Sequence, residues 1–515
     1  MDKKTLVAQM AKELNVPVYE VGKNPNVRAK VSTPRPELQK QASKVVTLEE
    51  AIRKTGLKDG MTISFHHHFR GGDKVVNLVV DKLAEMGFKN LHLAASSLAD
   101  VHRPLIEHIK NGVITKISTS GMRGALADAV SRGLMETPVN FRSHGGRALA
   151  IKKGELHIDV AFLGASSCDP LGNASGYSRS ENPKSICGSL GYAMVDAQFA
   201  DKVVILTDDL VTYPNTPNAI SERNVDYVVE VESVGDPSKI SSGAIRDTKN
   251  PRDILLAQTA AKVVINSGYF EDGFSIQTGS GGASLAVTKF IREKMIEKGI
   301  KAKFALGGIT SHMVKMHEEG LIEKLLDVQS FDMVAAESLK NNRFHKQVCA
   351  NEYASAEELG SAIHWLDMVI LSALEVDVNF NVNVLVGSDG IIRGAIGGHP
   401  DTAAASALSI VVCPMLRGRI PCVVDEVTTY ITPGDGVDVI VTDFGVAVNP
   451  RRPEIAERLK AAGLNIVDIT YLRDKAKSII GEPAALPFGD KVVGVVYNRD
   501  GSVLDVIKNI DDTNV

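Results

Sequence analysis

Apolar runs typical of β-strands alternate with helical patterns from Val45 onward. The segment MTISFHH at 61–67 has the pattern of a strand, DKVVNLVVDKLAEMG at 73–87 that of an amphipathic helix, and NLHLAAS at 90–96 that of a second strand. Strands separated by helices of this length pair in parallel, because each connection has to cross over the sheet. The pattern therefore predicts an α/β fold with open, mostly parallel sheets and helices on their faces.

Three short sequence similarities recur at nearly the same offset along the chain. The pairs are KDGMTI at 58–63 with EDGFSI at 271–276, IDV at 158–160 with VDV at 376–378, and DDLVTY at 208–213 with DEVTTY at 425–430. The offsets are 213, 218 and 217 residues, and such collinear repetition indicates a duplicated domain. We therefore predict two tandem domains, residues 45–245 and 246–515, with the junction near Ser242–Pro251.

The segment before these domains differs from the rest of the chain. Residues 21–44 contain six Lys or Arg and one acid, with no apolar periodicity. We therefore predict that residues 1–44 form an extended N-terminal arm. A tail on the surface is the favoured interpretation, and a contact for an acidic partner is the alternative.

Composition excludes several classes of protein. A net charge of −4 over 515 residues argues against a nucleic-acid-binding protein, which usually carries a basic patch. No stretch resembles a targeting signal, and the longest weakly polar run, Ala403–Leu416, is shorter than the ~20 residues that span a bilayer. The five cysteines are odd in number and form no CxxC pair, which argues against disulfides and structural zinc. We expect a cytoplasmic protein without membrane contact.

Two glycine-rich stretches, at 277–284 and 394–401, lie where a strand is predicted to lead into a helix. Backbone N–H groups at such a junction can approach an anion or a pantetheine arm closely. Neither stretch matches a dinucleotide fingerprint or a P-loop. A tight turn without a ligand is the alternative, and Asp401 is as suited to cap a helix as to do chemistry. The candidate thioester-binding residues are Gly279, Gly281, Gly282, Gly397, Gly398 and Asp401.

Polar residues cluster at the equivalent junction of the first repeat, Ser64 to Asp73. Three consecutive histidines on an extended chain cannot all face one metal ion, so we expect no metal site. His66 and His68 share a face and could bind a polycarboxylate together with Arg70; a polar loop is an equally supported alternative. Arginine forks bind carboxylates in bidentate fashion. The candidate substrate-binding residues are Ser64, His66, His68, Arg70, Gly71, Gly72 and Arg142.

These motifs resemble those of the CoA-transferase superfamily. QTGSGG (277–282), IRGAIGGHPD (392–401) and VTDFGVAVNP (441–450) stand in the expected order, and DGMTISFHHHFRGGD (59–73) and DVAFLGASSCDPLGN (159–173) are their counterparts in the first repeat. Over almost the whole chain, the HHHFRGG variant included, the sequence is most similar to the citrate lyase α chains. This resemblance implies two tandem CoA-transferase-like domains and an enzyme that exchanges acetyl for citryl on a thioester.

The resemblance also implies partners and cosubstrates. We expect an acyl carrier protein subunit, a citryl-cleaving lyase subunit, citrate as the small-molecule substrate, and an oligomeric assembly. No cofactor is expected to be tightly bound to this chain. Acetyl-CoA, or the CoA-derived prosthetic group of the carrier protein, would be the cosubstrate. The choice between citrate and citramalate stays open, because one pocket group can decide it.

One departure from the superfamily bears on the mechanism. Covalent CoA-transferases carry a glutamate nucleophile, whereas the corresponding stretch here is Ala305–Thr310, ALGGIT, without an acid. The resemblance therefore implies direct exchange through a mixed anhydride, with the amides of Gly397 and Gly398 stabilising the oxyanion. One alternative is a covalent CoA-transferase that acts on a short-chain acid through Glu337 or Glu352. A catalytically silent thioester-binding scaffold is another.

Overall fold

A computed structural model describes residues 2–14, 18, 43–241, 250–279, 282–483 and 485–511. The chain divides into two compact units, residues 1–44 and 45–515. In the first unit Lys3–Glu13 is a helix, which begins where the side chain of Asp2 accepts a hydrogen bond from the Thr5 amide. The predicted arm is therefore helical at its start, and most of its basic stretch lies outside the described residues.

Residues 45–515 form an α/β unit built on two large sheets. The strands of the nine-stranded sheet are β1 Thr62–Phe65, β2 Leu91–Ala95, β3 Ile114–Thr119, β4 Val139–Phe141, β5 Val160–Ala165, β8 Lys202–Thr207, β9 Tyr227–Glu230, β23 Phe488–Tyr497 and β24 Val503–Ile510. Those of the eight-stranded sheet are β10 Phe274–Thr278, β11 Ala302–Ile309, β12 Leu325–Ser330, β13 His345–Gln347, β14 Met368–Ser372, β17 Leu408–Val412, β21 Val439–Val441 and β22 Val446–Val448.

Smaller strands and helices complete the unit. The short strands are β6 Ser167–Cys168, β7 Ala174–Ser175, β15 Glu375–Asp377, β16 Val382–Asn383, β18 Leu416–Arg417, β19 Ile420–Pro421 and β20 Val423–Val424. The helices are Leu48–Thr55, Val75–Glu85, Leu105–Lys110, Gly124–Ser131, His144–Lys153, Gly191–Phe199, Pro251–Asn266, Gly282–Lys298, Ser311–Glu318, Met333–Asn341, Ala350–Ala354, His399–Ala405, Pro453–Ala461 and Ile469–Ile480. Among the described residues, every helix is too short or too polar to cross a bilayer.

The two sheets share one strand order, which confirms the predicted α/β fold with mostly parallel sheets. The first contains the order β4-β3-β2-β1-β5-β8-β9 and the second the order β13-β12-β11-β10-β14-β17-β21. Each neighbouring pair within these seven strands is parallel. Strands β1 and β10, which carry the repeated DGMTI and DGFSI segments, occupy equivalent central positions. The expected fold class is therefore correct.

Two of the three sequence pairs, however, do not match in space. Asp159 accepts a hydrogen bond from the Thr62 amide at 2.7 Å, and Asp367 accepts the equivalent bond from Ser275 at 2.8 Å. Asp159 therefore corresponds to Asp367, not to the aspartate of the VDV segment at 376–378. The DDLVTY segment directly follows β8, whereas DEVTTY follows the short strand β20 and not β17, so this pair is not equivalent either.

The two halves of this unit, the first built on the nine-stranded sheet and the second on the eight-stranded sheet, are closely joined. One buried apolar cluster extends from Ile63 and Phe162 in the first half to Val369 and Val411 in the second. The C-terminal hairpin β23–β24 pairs through Val496 with Phe141 of β4 and so extends the sheet of the first half. A division at residues 245 and 246 stays a prediction, because strands from beyond this point complete the first sheet.

Candidate active site

A cavity of about 410 Å³ lies where the strand ends of both halves meet. Its size is that of a small-molecule site. Residues that follow β1, β2 and β3 line one side, and residues at the ends of β10, β11, β12 and β14 line the other. Ligands of parallel α/β sheets bind at the carboxyl ends of the strands, and here two such edges contribute to one cavity.

A wall of stacked rings forms part of the first-half side. The ring of His67 lies 5.1 Å from that of Tyr192 and 5.7 Å from that of His144, measured between centroids. The Nδ1 atom of His67 is hydrogen-bonded to the hydroxyl of Ser96 at 2.5 Å. Burial, with the nearby His144 and Arg70, holds the pKa of His67 well below its usual value, and burial lowers the pKa of His144 to about 3. Both rings are therefore neutral at physiological pH.

The charge in the cavity comes from arginines. Arg70, Arg123 and Arg417 line it, and within the described part of the chain none of them forms an ion pair with a carboxylate. Arg417 donates to the backbone carbonyl of Ala373 at 3.0 Å. The guanidinium of Arg70 stacks on the Phe331 ring at 4.7 Å, and its Nη1 atom is buried without a hydrogen-bond partner. Burial, followed by the charge of Arg123, lowers the pKa of Arg70 to about 10, so it stays protonated. No aspartate or glutamate is among the described residues that line the cavity, which favours an anionic ligand.

The glycines of the 394–401 stretch lie on the second-half side. Gly397 and Gly398 line the cavity, and in the described residues their N–H groups donate to no acceptor. Gly397 has a φ of +60°, which favours glycine. A β-carbon on Gly398 would lie 2.3 Å from the hydroxyl oxygen of Tyr353. Gly398 is therefore required by close packing, and Gly397 by its backbone conformation.

The helices His144–Lys153 and His399–Ala405 meet beside these glycines. The amide of His144 donates to the carbonyl of Gly397 at 2.8 Å. The buried carboxylate of Asp401 accepts from the Ser143 hydroxyl at 2.8 Å and from the Gly145 amide at 2.9 Å. Burial raises the pKa of Asp401 to about 6. Asp401 thus holds the two helix starts together, and it does not line the cavity.

His399 directly follows the two glycines and also faces the cavity. Its Nε2 lies 3.2 Å from the Ser372 carbonyl, and its Nδ1 lies 2.7 Å from the Thr432 hydroxyl. Since a carbonyl only accepts, Nε2 carries the proton and Nδ1 accepts from Thr432. Burial lowers the pKa of His399 to about 4, so the ring remains neutral and rigidly oriented.

Several predicted substrate-binding residues lie behind the cavity wall. Ser64, His66 and His68 are buried and do not line the cavity. His66 donates through Nε2 to the Gly164 carbonyl at 2.9 Å, and the ring of His68 lies between those of His66 and Tyr192. Strand β1 ends at Phe65, so the alternation that placed His66 and His68 toward a ligand does not continue through them. The histidine of this stretch that lines the cavity is His67.

Three more predicted residues also lie outside the cavity lining. A β-carbon on Gly72 would lie 2.2 Å from the carbonyl oxygen of Asp236, so this glycine permits a close backbone approach. Gly71 precedes it in the same turn. The guanidinium of Arg142 lies 3.9 Å from the ring centroid of Tyr497 in the C-terminal hairpin. Of the predicted substrate-binding residues, only Arg70 reaches the cavity.

The QTGSGG stretch contributes one of its predicted glycines to the cavity lining. Gly279 lines the cavity, but its amide donates to the Ile370 carbonyl at 2.7 Å, so it holds β10 to β14. Gly282 begins the helix Gly282–Lys298, and Gly281 lies outside the described residues. Gln277 of the same stretch also lines the cavity, and its Nε2 donates to the hydroxyl of Tyr353 at 2.9 Å.

Most residues that line the cavity were not among the predicted site residues; His67, Tyr192, Gln277 and Tyr353 are examples. His67 and Gln277 lie within stretches that the motifs indicate, and the end of a predicted strand is the signal that could have found them. Tyr192 and Tyr353 lie in ordinary helical segments with no motif around them. Only their packing in the folded chain brings them to the site.

Comparisons with known proteins identify the family. The profile of the family described as "Citrate lyase, alpha subunit" matches residues 41–510. The chain belongs to the citrate lyase alpha-subunit family. It is 59% identical to the citrate lyase alpha chain of Escherichia coli (strain K12), over 90% of each chain, and 57% identical to that of Klebsiella pneumoniae, over 93% of this chain and 94% of that one. A crystal structure of the putative citrate lyase alpha subunit from Streptococcus mutans, in complex with citrate, superposes with a TM-score of 0.89 at 55% identity and 92% coverage of each chain.

The stretch Ala305–Thr310, in which the superfamily resemblance leads us to expect the glutamate of covalent CoA-transferases, contributes a glycine to the cavity. Gly308 of the ALGGIT stretch lines the cavity, and a β-carbon there would lie 2.1 Å from the Phe331 ring. The site therefore has no acid at this position and no room for one. Glu337 and Glu352 are both exposed, and neither lines the cavity.

Proposed function

We propose that the chain exchanges acetyl for citryl on the thioester of an acyl carrier protein or of CoA, and so produces a citryl thioester and acetate. The observation that carries this proposal is the composition of the cavity. It brings Arg70 and Arg123 together with the free amides of Gly397 and Gly398, and its described lining contains no carboxylate. Such a site can bind an anionic acid and stabilise an oxyanion, but it offers no acidic nucleophile of its own.

Citrate is the acid that this site fits best. Two guanidinium groups can each bind a carboxylate in bidentate fashion, and the buried Nη1 of Arg70 has no protein partner. The neutral rings of His67 and His144 add polar atoms without adding charge. The Streptococcus mutans relative, which is 55% identical, was crystallised with citrate. The difference between citrate and citramalate is one carboxylate, so the number of engaged arginines would set the preference.

The exchange proceeds in two steps, and neither step requires a proton to be donated or removed. A citrate carboxylate oxygen attacks the acetyl thioester carbonyl, and the tetrahedral oxyanion collapses by expelling the thiolate, which leaves a mixed citryl–acetyl anhydride. The thiolate then attacks the citryl carbonyl of the anhydride and expels acetate. Each attack creates negative charge on a former carbonyl oxygen. The amides of Gly397 and Gly398 are free to receive that charge, and the site's main contribution is to hold both reactants together.

A covalent CoA-transferase is less well supported. That mechanism needs a glutamate within reach of the thioester, and Glu337 and Glu352 are exposed and outside the cavity lining. A silent scaffold is also less well supported, because it would need neither neutral histidines nor free amides at its ligand site. Both alternatives make different predictions in a simple assay.

The proposed partners follow from the chemistry. A thioester on a long prosthetic arm reaches a cavity that a protein surface cannot enter, so the carrier protein would deliver only the arm. Citryl thioester needs a further subunit that cleaves it, so we propose that this chain works in a complex with a carrier subunit and a lyase subunit. The cosubstrate is acetyl-CoA or the CoA-derived group of the carrier.

The experiment is an acetate-release assay with the purified chain. Acetyl-CoA and the acetylated carrier protein are each supplied with citrate, citramalate or malate, and acetate and acyl thioester are measured. We expect acetate in amounts equal to citryl thioester and dependent on citrate. Acetate without citrate would indicate a thioesterase, and no acetate with any acid would contradict transfer altogether.

A further inference from the structure

Tyr353 occupies a fixed position at the cavity. It lies in the short helix Ala350–Ala354, which begins with a capping box: the Glu352 carboxylate accepts from the Cys349 amide at 3.1 Å, and the Glu352 amide donates to Cys349 Sγ at 3.4 Å. Tyr353 is only 3% exposed, yet it lines the cavity. The ring is therefore held by packing, and the hydroxyl is the part that a ligand can meet.

Two neighbours determine where this hydroxyl points. The Nε2 group of Gln277 donates to its oxygen at 2.9 Å. A β-carbon on Gly398 would lie 2.3 Å from the same oxygen, so the hydroxyl packs directly against the glycine backbone. The oxygen already accepts one hydrogen bond and is next to one of the two free amides. The Gly398 backbone and the Tyr353 hydroxyl are therefore neighbours in the cavity lining.

The hydroxyl proton has no acceptor in the described part of the protein. Gln277 is the hydrogen-bond partner of Tyr353 there: its Nε2 group donates to the hydroxyl, while its Oε1 atom is buried without a partner. Burial raises the pKa of Tyr353 above its usual value, so the group stays protonated at neutral pH and keeps its O–H donor. A buried donor without an acceptor is costly unless a ligand supplies one. Three donors without acceptors, two amides and one phenol, thus belong to residues that line the same cavity.

We propose that Tyr353 is a catalytic residue whose hydroxyl donates a hydrogen bond to the oxyanion formed during acyl exchange, with Gln277 as its positioning residue. This inference rests on the proposed function and extends it. When the citrate carboxylate adds to the thioester carbonyl, the C=O π electrons move to oxygen, and the amides and the phenol solvate the resulting charge. The phenol keeps its proton, because collapse of the intermediate restores the carbonyl and expels the thiolate. The same three donors serve the second addition, at the citryl carbonyl.

The test is Tyr353→Phe, which retains the ring and removes only the donor. Removal of one oxyanion donor costs about 10²- to 10³-fold in kcat, so we expect that loss with little change in KM for citrate. Tyr471→Phe is the matched control, because Tyr471 is half exposed on the helix Ile469–Ile480, away from the cavity. Its kinetics should match those of the wild type. A second variant, Gln277→Leu, should lower kcat by about tenfold, because the phenol loses its orientation but not its proton.

A substrate change separates a direct contact from a structural role. Acetyl dithio-CoA replaces the carbonyl oxygen by sulfur, which accepts hydrogen bonds poorly. If Tyr353 donates to this atom, the wild type should lose more rate on this substitution than Tyr353→Phe does. A purely structural role would give equal losses in both proteins.

The outcomes distinguish the inference from the function on which it rests. Wild-type chain that releases no citrate-dependent acetate contradicts the proposed function. If the wild type is active and the kcat of Tyr353→Phe is within about threefold of the wild-type value, the assignment of Tyr353 is overturned. A loss confined to KM would also overturn it, since that result places Tyr353 in substrate binding. If Tyr353→Phe does not fold, the test depends on Gln277→Leu and on the dithioester substrate with the wild type. If neither of these two changes alters the rate, Tyr353 is not an oxyanion donor.

Discussion

The carboxylate of Asp401 accepts a hydrogen bond from the hydroxyl of Ser143 at 2.8 Å, across 258 positions of the chain. Ser143 precedes the helix His144–Lys153 of the first half, and Asp401 lies in the first turn of the helix His399–Ala405 of the second. One buried acid thereby joins the two helix starts that present His144 and Gly398 to the cavity. The alignment of the site depends on this contact between the halves.

The raised pKa of Asp401 makes stability depend on pH. Its carboxyl has a pKa of about 6 in the folded chain against 3.8 as the ordinary value, so the folded state binds the proton more tightly. Between about pH 4 and pH 6 the unfolded chain releases that proton first, and this contribution to stability falls as pH rises. We expect the melting temperature of the wild type, relative to Asp401→Asn, to fall through this window. The free-energy change is on the order of 3 kcal/mol.

Comparison with the asparagine variant cancels the contributions of the other titrating groups. Ser143→Ala is the matched control, because it removes one hydrogen bond to Asp401 and keeps the titrating carboxyl. Its melting temperature should retain the pH slope that Asp401→Asn lacks. If the melting temperatures of the wild type and of Asp401→Asn change in parallel between about pH 4 and pH 6, this carboxyl does not titrate in the window.

Alanine at the two glycines should have unequal effects. At Gly398 the new β-carbon would lie 2.3 Å from the Tyr353 hydroxyl and would displace it, so we expect kcat to fall by at least about 100-fold. Gly398→Val, the larger change, should abolish transfer. At Gly397 the β-carbon has space, with His144 Nε2 as its nearest neighbour at 3.8 Å, and the cost is the left-handed φ of +60°. We expect a smaller loss there, measured as kcat in the acetate-release assay.

Gly463→Ala controls for backbone strain alone. Gly463 has a φ of +78°, and a β-carbon there would have no neighbouring atom within 4 Å. It lies at the end of the helix Pro453–Ala461, outside the cavity lining. The variant should lose stability to about the same extent as Gly397→Ala and keep full activity. Equal activity of Gly398→Ala and the wild type would contradict the assigned oxyanion site.

The architecture was accessible from sequence because it depends on local periodicity. The repeated segments at 58–63 and 271–276 lead into β1 and β10, which are equivalent in the two sheets. The true partner of Asp159 was not accessible, because the residues directly beside Asp367 differ from those beside Asp159. The two are equivalent through one hydrogen bond each, from Thr62 and from Ser275. A backbone contact of this kind leaves little trace in the sequence.

The cavity lining was predicted only in part for a similar reason. Arg70, Gly397 and Gly398 were predicted and do line the cavity. The choice of His66 and His68 assumed that the strand continues, whereas β1 ends at Phe65. Tyr353 lies 76 residues from Gln277, its hydrogen-bond partner. Long-range packing of this kind cannot be derived from periodicity or motifs.

Chemical trapping should find no acyl-enzyme. Borohydride reduces a glutamyl thioester, so a covalent transferase incubated with acetyl-CoA would give a modified glutamate by mass spectrometry. We expect unmodified peptides containing Glu337 and Glu352, because both side chains are exposed and outside the cavity lining. A known glutamate-dependent CoA-transferase, treated in parallel, serves as the positive control. A reduced glutamate in this chain at the control's yield would establish the covalent route.

Lysine in place of Arg70 should weaken citrate binding although the charge is kept. The guanidinium is a planar fork that matches a carboxylate, whereas an ammonium group is a point charge. The backbone of Arg70 has a φ of +52° and its guanidinium stacks on Phe331, so the donor is held in one orientation that lysine cannot reproduce. We expect KM for citrate to rise by about 10- to 100-fold in Arg70→Lys, with a smaller change in kcat.

Arg123→Lys should show a weaker form of the same effect, since Arg123 is exposed at the cavity and less constrained. Screening by salt acts more strongly on exposed charges, so the rise in KM with ionic strength should depend more on Arg123 than on Arg70. Arg451→Lys, an exposed arginine outside the cavity, should leave KM unchanged. If KM in Arg70→Lys equals that of the wild type, citrate does not engage this guanidinium. The anion would then be bound by the other donors of the lining, among them Arg123, Arg417 and the amides of Gly397 and Gly398.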